Sequence, residues 1–185
     1  MQTPIPVLSH PDCIITVLGP EHAQQALDYQ LNNRHHLAQW EPQRSSAYYQ
    51  LATWQTLLQQ QQHLCASQQA FHFSALDKGS GKMVASINFS HIIRGVFQSC
   101  HLGYSIDQGH QGQGLMSSLC QTTLAFMFEQ QDLHRIMASH VTENTRSKQL
   151  LLKLGFEAEG FARDYLKVAG QWRDHYLYSL LNPAH

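Results

Sequence analysis

The chain has 185 residues, of which 43% are hydrophobic and 14% charged, and its formal net charge is −1. This composition is typical of a folded globular protein and argues against disorder. A nearly neutral chain has no broad electrostatic field that would favour nucleic acid or an anionic membrane. We therefore expect one domain over residues 1–185, with no direct DNA binding and no membrane association.

The cysteines and the N-terminus indicate the cellular compartment. The four cysteines, at positions 13, 65, 100 and 120, form no C-x-x-C pair, and the thirteen histidines are scattered singly apart from His35-His36. This pattern favours free thiols in a reducing compartment over a disulfide framework or a metal site. The first residues show no signal peptide, and no apolar stretch approaches the roughly 18 residues that cross a bilayer. These features predict a cytoplasmic protein without a metal.

Hydrophobic periodicity and turn residues predict the elements of the first half of the chain. β-branched residues and alternation indicate strands, and Pro20 is suited to open a helix. In chain order the predicted elements are a strand over 12–18, a helix from Pro20 to about Arg34, a helix from about Ser46 to His63, and strands over 70–76 and 83–89 around a glycine-containing turn at 77–81.

The second half alternates strands and helices before it ends in a hairpin. The predicted elements are a strand over 98–106, a helix that follows Gly112-Gln113-Gly114, a strand over 135–141, a helix from about Asn144 to Leu154 stopped by Gly155, and strands over 161–168 and 172–181 around Ala169-Gly170. The order predicts an α/β (α+β) fold in which a mixed central sheet of about seven strands is flanked by about four helices.

A glycine-rich turn between a strand and a helix carries the strongest chemical signal. The first N–H groups of a helix have no partner within the helix, and glycines let an anion approach them closely. The turn at 111–116 therefore suits a phosphate group, although a tight connection that merely needs glycine is equally compatible. A P-loop is excluded because Leu115-Met116 follow Gly114 where Lys-Ser/Thr is required. A Rossmann loop is excluded because Ser117 replaces the third glycine.

A second motif about thirty residues later connects this turn to a known family. Asn144-x-x-Ser147 leads to Leu154-Gly155-Phe156, and Gln111, Gly114 and Met116 fall on the positions of Gln/Arg-x-x-Gly-x-Gly/Ala. Together these motifs resemble the GNAT acetyltransferases, although Met116 stands where that family usually has a small residue. The resemblance implies that acetyl-CoA is the cosubstrate, with its pantetheine arm between the strands ending near Ile106 and Val141. The cofactor-binding residues it implies are Tyr104, Ile106, Gln111, Gly112, Gln113, Gly114, Leu115, Met116, Ser117, Asn144, Arg146 and Ser147.

Further segments are similar to the RimJ/RimL group of ribosomal-protein acetyltransferases. They include 38–42, 87–90, Arg94-Gly95, 102–106 and above all the C-terminal run over 159–175. The resemblance extends from the first strand to about Leu181. It implies transfer of an acetyl group to the N-terminal alanine of a small-subunit ribosomal protein, with a possible contact to the ribosome.

The resemblance also implies candidate catalytic residues. Asp164, before Tyr165, matches an acidic base of the RimL type, and Glu143 and His140 are alternatives that the residues leave open. Many GNAT enzymes protonate the leaving sulfur with a tyrosine at the position of Leu151, so this route is absent here. Ser147 is the remaining candidate, and its hydroxyl is expected to hydrogen-bond the sulfur more than to give up its proton. Asn144 is a good N-cap for its helix, and a backbone N–H after Tyr104 is expected to stabilise the oxyanion.

The acceptor cleft is expected between the 34–44 segment and the last hairpin. Its predicted walls are Trp40, Glu41, Trp172 and Asp174, where a carboxylate could hold the incoming ammonium. Two alternatives remain open on sequence alone. One is acetylation of a small amine such as a polyamine or an aminoglycoside, and the other is a non-catalytic module that binds acetyl-CoA or the ribosome.

Overall fold

The computed structural model describes residues 4–185 and contains one mixed sheet with helices packed on it. The strand order is β1-β2-β3-β4-β5-β6-β8-β7. Every pair of neighbours is antiparallel except β5 and β6, which are parallel. The strands are β1 (Val7–Ser9), β2 (Cys13–Val17), β3 (Phe71–Asp77), β4 (Met83–Ile93), β5 (Ser99–Ile106), β6 (Arg135–Val141), β7 (Glu157–Val168) and β8 (Gln171–Leu181). The α-helices are α1 (Ala23–Leu37), α2 (Leu51–Ala66), α3 (Leu115–Glu129) and α4 (Thr145–Lys153).

The predicted fold class is confirmed, with eight strands in the described residues where about seven were expected. The missed strand is β1, which has three residues and follows Pro6, so it is too short to show an alternating pattern. Helix α1 begins after a 3-10 turn at Pro20–His22 and runs past the predicted end at Arg34 to Leu37, because no glycine or proline interrupts it.

Two apolar clusters lie on opposite faces of the sheet. Phe73 and Ala75 of β3 belong to the larger cluster with α3, whereas Leu76 packs against the smaller cluster formed with α1 and α2. Neighbouring side chains of a strand point to opposite faces, so the helices cover both sides. The ring of Phe126 on α3 meets the rings of Phe71 and Phe73 edge to face at 5.4 and 5.6 Å. These aromatic contacts anchor the helix whose first turn belongs to the candidate site.

The parallel pair β5 and β6 opens into a fork. Paired residues run from Ser99↔Arg135 to Leu102↔Ala138, but β5 continues to Ile106 and β6 to Val141. Beyond the last pair, β5 stays bonded to β4 and β6 stays bonded to β8. The two strands therefore leave a gap in the sheet, as the resemblance implied for the strands that end near Ile106 and Val141.

The last hairpin turns through Ala169-Gly170, as predicted, with φ values of 50° and 81°. Positive φ at both central residues is typical of a tight two-residue turn between twisted strands. Ala169 N donates to Glu41 O over 2.8 Å, which ties the turn to the segment after α1. A Cβ on Gly170 would lie 2.8 Å from Gln43 Oε1, so glycine also permits this close approach. The hairpin and the 38–44 segment thus meet, as the predicted acceptor cleft requires.

All four cysteines are free, as expected from their spacing, and all four are buried. Over residues 4–185, no helix is long and apolar enough to span a membrane. In the same range, no group of three or more His, Cys, Asp or Glu side chains is placed to hold a metal ion.

Candidate active site

The glycine-rich turn presents free backbone amides at the start of α3. Gly112 and Gly114 have φ values of 73° and 81°, and a Cβ built on either would meet no atom within 4 Å. Ser118 N is bonded to Gly114 O, so the amides of the residues between them are free of intrahelical bonds. The Ser117 hydroxyl is buried and has no partner among the described residues. Open space, free N–H groups and an orphaned hydroxyl together fit an anionic ligand.

The turn is held from one side by Asp107. Its carboxylate accepts from Gly109 N at 3.0 Å and lies 2.9 Å from His110 Nδ1. Although burial opposes it, hydrogen bonding to His110 and Asn33 keeps the pKa of Asp107 below its ordinary value. Asp107 directly follows β5, so these hydrogen bonds join the end of the strand to the turn.

Helix α4 is capped at both ends. Asn144 Oδ1 accepts from Ser147 N at 3.1 Å, which confirms the N-cap expected there. At the other end Gly155 has a φ of 87°, and Phe156 N donates to Leu151 O at 3.0 Å. This bond is the Schellman type of helix end, which needs glycine in the left-handed region. The two caps fix the register of the helix and therefore the position of Ser147.

Ser147 meets a tyrosine that the sequence did not assign to it. Tyr104 Oη on β5 lies 2.7 Å from Ser147 Oγ on α4. Burial raises the pKa of Tyr104, so its phenol stays protonated across the neutral range. Leu151, at the position where the family resemblance implied a tyrosine in many enzymes, is fully buried. A tyrosine hydroxyl therefore does lie next to Ser147, but it belongs to Tyr104 on β5 and not to position 151 on α4.

A cleft of about 800 Å³ joins these elements. Every predicted cofactor residue lines it except Gln113, whose side chain turns back to Gly109 O. Gln111 crosses the cleft, since Nε2 lies 2.7 Å from His36 Nε2 and Oε1 accepts from Arg146 Nη1. The residues of this wall that sequence reasoning did not assign are His36, Leu37, Gln39, Ser105, His110, Thr145, Gln149, Leu150 and Lys153. Six of these nine lie on α1 or α4, where the sequence has no signal beyond their position on the helix.

Of the four residues predicted to line the acceptor side of the cleft, two do so in the structure. Trp40 and Glu41 line the cleft, but Trp172 and Asp174 do not. The Trp172 side chain is 61% exposed on the last hairpin. Asp174 Oδ1 instead accepts from the backbone N–H of Asp164 at 2.9 Å. The turn of the hairpin contacts the 38–44 segment through the bond from Ala169 N to Glu41 O, but the described residues that line the cleft include none of the hairpin.

The structure also places Asp164, the first candidate for the base, outside the cleft. It has a φ of 46° and lies in an irregular stretch of β7, between the pairs Ala162↔His175 and Leu166↔Arg173. This bulge on an edge strand turns the carboxylate to solvent, because a bulge redirects the side chains of its strand. The local sequence pattern Asp164-Tyr165 does not indicate this bulge.

The alternative bases occupy different environments. His140 is buried, with Nδ1 2.8 Å from Val141 O, and burial lowers its pKa. Glu143 lines the cleft but pairs with Arg173 at 2.7 Å. Glu41 is the carboxylate that combines a place in the cleft with partial burial, and this burial raises its pKa although Arg44 lies 3.6 Å away. A desolvated carboxylate facing a cleft is a better proton acceptor than an exposed one.

Comparisons with known proteins agree with this geometry. Residues 14–157 match the model of the acetyltransferase (GNAT) domain family. The chain is 39% identical to the [ribosomal protein uS5]-alanine N-acetyltransferase of Escherichia coli over 170 residues, which are 92% of this chain and 88% of that protein. The crystal structure of the ribosomal-protein-S5-alanine acetyltransferase of Vibrio fischeri superposes with a TM-score of 0.92 at 36% identity, covering 96% of this chain and 97% of that one.

A structure of Mycobacterium smegmatis RimJ in complex with CoA-disulfide superposes with a TM-score of 0.86 at 25% identity, covering 96% of this chain and 86% of that one. The family match spans most of the chain, and the Escherichia coli enzyme is similar along nearly its whole length. The fold, the capped helix α4 and the glycine-rich turn therefore have one explanation: the chain belongs to the GNAT family of acetyl-CoA-dependent N-acetyltransferases.

Proposed function

We propose that this enzyme acetylates the N-terminal alanine of ribosomal protein uS5. The observation that carries the proposal is the 39% identity to the Escherichia coli uS5-alanine enzyme over 92% of this chain. Physical chemistry favours an α-amine as well. Its pKa of about 7.7–8.0 leaves a useful neutral fraction near pH 7, whereas a lysine at about 10.4 is almost fully charged. An α-amine therefore needs only a modest base, such as a buried carboxylate.

In this proposal acetyl-CoA is bound by the first turn of α3, the fork between β5 and β6, and a residue of α4. Acetyl-CoA supplies the activated acetyl group as a thioester. The free amides of the α3 first turn and the Ser117 hydroxyl bind its pyrophosphate, and the fork between β5 and β6 receives the pantetheine arm. Arg146 supplies the positive charge that Gln111 lacks. The orphaned Ser117 hydroxyl and the open space at Gly112 and Gly114 support this assignment.

Glu41 replaces Asp164 as the candidate base. It accepts a proton from the neutral α-amine as the amine nitrogen forms its bond to the acetyl carbon and the carbon–sulfur bond breaks. Ser147 Oγ gives a proton to the leaving sulfur and takes up the proton of Tyr104 Oη, which lies 2.7 Å away. Glu41 and Tyr104 then return to their resting protonation states by exchange with solvent. The backbone amides of β5 beyond Leu102 stabilise the developing oxyanion, and the end of the β5–β6 pairing at Leu102 supports this role.

The function is tested with purified protein, acetyl-CoA and peptides that begin with Ala, Ser or Met. An N-blocked peptide containing lysine and a polyamine are included, and mass spectrometry identifies the products. We expect rapid acetylation of the Ala peptide at its α-amine. Acetylation of the polyamine instead would favour the small-amine alternative. Binding of acetyl-CoA without any product would favour a non-catalytic module.

The role of Glu41 predicts a particular pH dependence. Both Glu41 and the amine must lose a proton, so log kcat/KM should rise with pH at a slope of about two at low pH and about one above the pKa of Glu41. That pKa lies above the ordinary value of a glutamate because of burial. The Glu41→Gln variant should lose about a hundredfold in kcat/KM and keep a slope of about one throughout.

Glu143→Gln is the matched control, since Glu143 also lines the cleft but is paired with Arg173. It should leave the profile unchanged. If Glu41→Gln kept the steep limb, or if Glu143→Gln removed it, Glu41 would not be the base.

A further inference from the structure

A second cavity of about 370 Å³ lies beside the cleft. We call it the arginine cavity; its lining includes Arg34, Leu37, Glu41, Arg44, Tyr49 and Ala169. It is bounded by the end of α1, the 38–44 segment and the turn of the last hairpin. The bond from Ala169 N to Glu41 O holds these parts together. The arginine cavity is therefore a built feature of the fold.

The arginine cavity adjoins the cleft at its acceptor end. Leu37 and Glu41 line both spaces. A peptide whose N-terminal amine reaches Glu41 must therefore place its following residues near this junction. An extended chain advances about 3.3–3.6 Å per residue, so the second to fourth residues lie within reach of the cavity.

The two arginines differ in what they already bind. Arg44 lies 3.6 Å from the Glu41 carboxylate and is partly neutralised by it. Arg34 makes no salt bridge within the described part of the chain. Its guanidinium lies over the Tyr49 ring at 4.4 Å, as that of Arg44 lies over Tyr48 at 4.3 Å. Stacking fixes the plane of a guanidinium without removing its charge, so Arg34 is oriented and available for an anion.

We propose that the arginine cavity binds an acidic side chain of the acceptor peptide, two to four residues from its N-terminus, through Arg34. The proposal rests on the protein N-terminal acetylation proposed above and adds a requirement for the acceptor sequence beyond its first residue. A planar guanidinium pairs with a carboxylate through two parallel hydrogen bonds, which is a geometry that a glutamine side chain does not reproduce.

The test uses four peptides that begin with alanine and are otherwise matched. One has glutamine at its second, third and fourth positions, and each of the others has glutamate at one of them. We expect one glutamate peptide to exceed the all-glutamine peptide by about tenfold in kcat/KM, mainly through KM. Arg34→Gln should abolish this preference and leave the all-glutamine peptide within about twofold of the wild-type rate.

Arg163→Gln is the matched control, because Arg163 is exposed on β7 and does not line the cavity. It should keep the preference. Calorimetric titration of the same peptides into the CoA-bound protein measures the preference without turnover. If the protein showed no activity, the proposed function would be contradicted, but the titration would still test peptide binding by the arginine cavity. Equal rates and equal affinities for all four peptides, or a preference that survives in Arg34→Gln, would overturn the proposal.

Discussion

Replacing both Gly112 and Gly114 with alanine is expected to raise the KM for acetyl-CoA by about a hundredfold. The reason is the loss of two charge-assisted hydrogen bonds between the amides of the turn and the pyrophosphate. Both glycines have positive φ and open space where a Cβ would stand. The added methyl groups would meet no protein atom, but they would occupy the approach of a phosphate to the free amides. Steady-state kinetics with acetyl-CoA as the varied substrate measures the effect.

The strain of alanine in the left-handed region costs about 1–2 kcal/mol per site and must be separated from the binding effect. Gly95 is a matched control, since its φ is 72° and its Cβ would also meet nothing within 4 Å. It lies in the turn between β4 and β5 and does not line the cleft. Gly95→Ala should lower the melting temperature to a similar extent per site and leave the KM unchanged. An unchanged KM in the double glycine variant would show that this turn does not hold the cofactor.

The parts of the site that follow from neighbouring residues could be predicted from the sequence. Gly112, Gly114 and the cap at Asn144 are local features, because a glycine turn and an Asn-x-x-Ser cap involve only residues a few positions apart. The two strand–helix units that carry these features were predicted for the same reason. Their boundaries differ from the structure by only a few residues.

Contacts between distant segments were not predictable in this way. The pairing of Tyr104 with Ser147 depends on how β5 and α4 pack, and the junction at Glu41 depends on a bond to the last hairpin. Asp164 was a reasonable base from its sequence context, but an irregularity in β7 directs it to solvent. Sequence patterns indicate which side chains could do the chemistry, whereas tertiary packing decides which of them meet.

The Tyr104 and Ser147 pair makes the second strong prediction. If Ser147 gives the proton to the leaving sulfur, Ser147→Ala should lower kcat by about a hundredfold with little change in either KM. Tyr104→Phe removes the hydroxyl 2.7 Å away and should lower kcat by about tenfold. Because the two hydroxyls act as one unit, the double variant should be no slower than Ser147→Ala alone.

Tyr178→Phe provides the matched control for this cycle. Tyr178 is also a buried tyrosine of the sheet, but its hydroxyl lies 3.4 Å from His140 Nε2 instead of near Ser147. Loss of this phenol should leave kcat within about twofold of wild type, because no proton path to the sulfur is broken. Single-turnover measurements isolate the chemical step from product release. Additive losses in the double variant would mean that Tyr104 acts on binding or packing, and Ser147 would then be the sole proton donor of the pair.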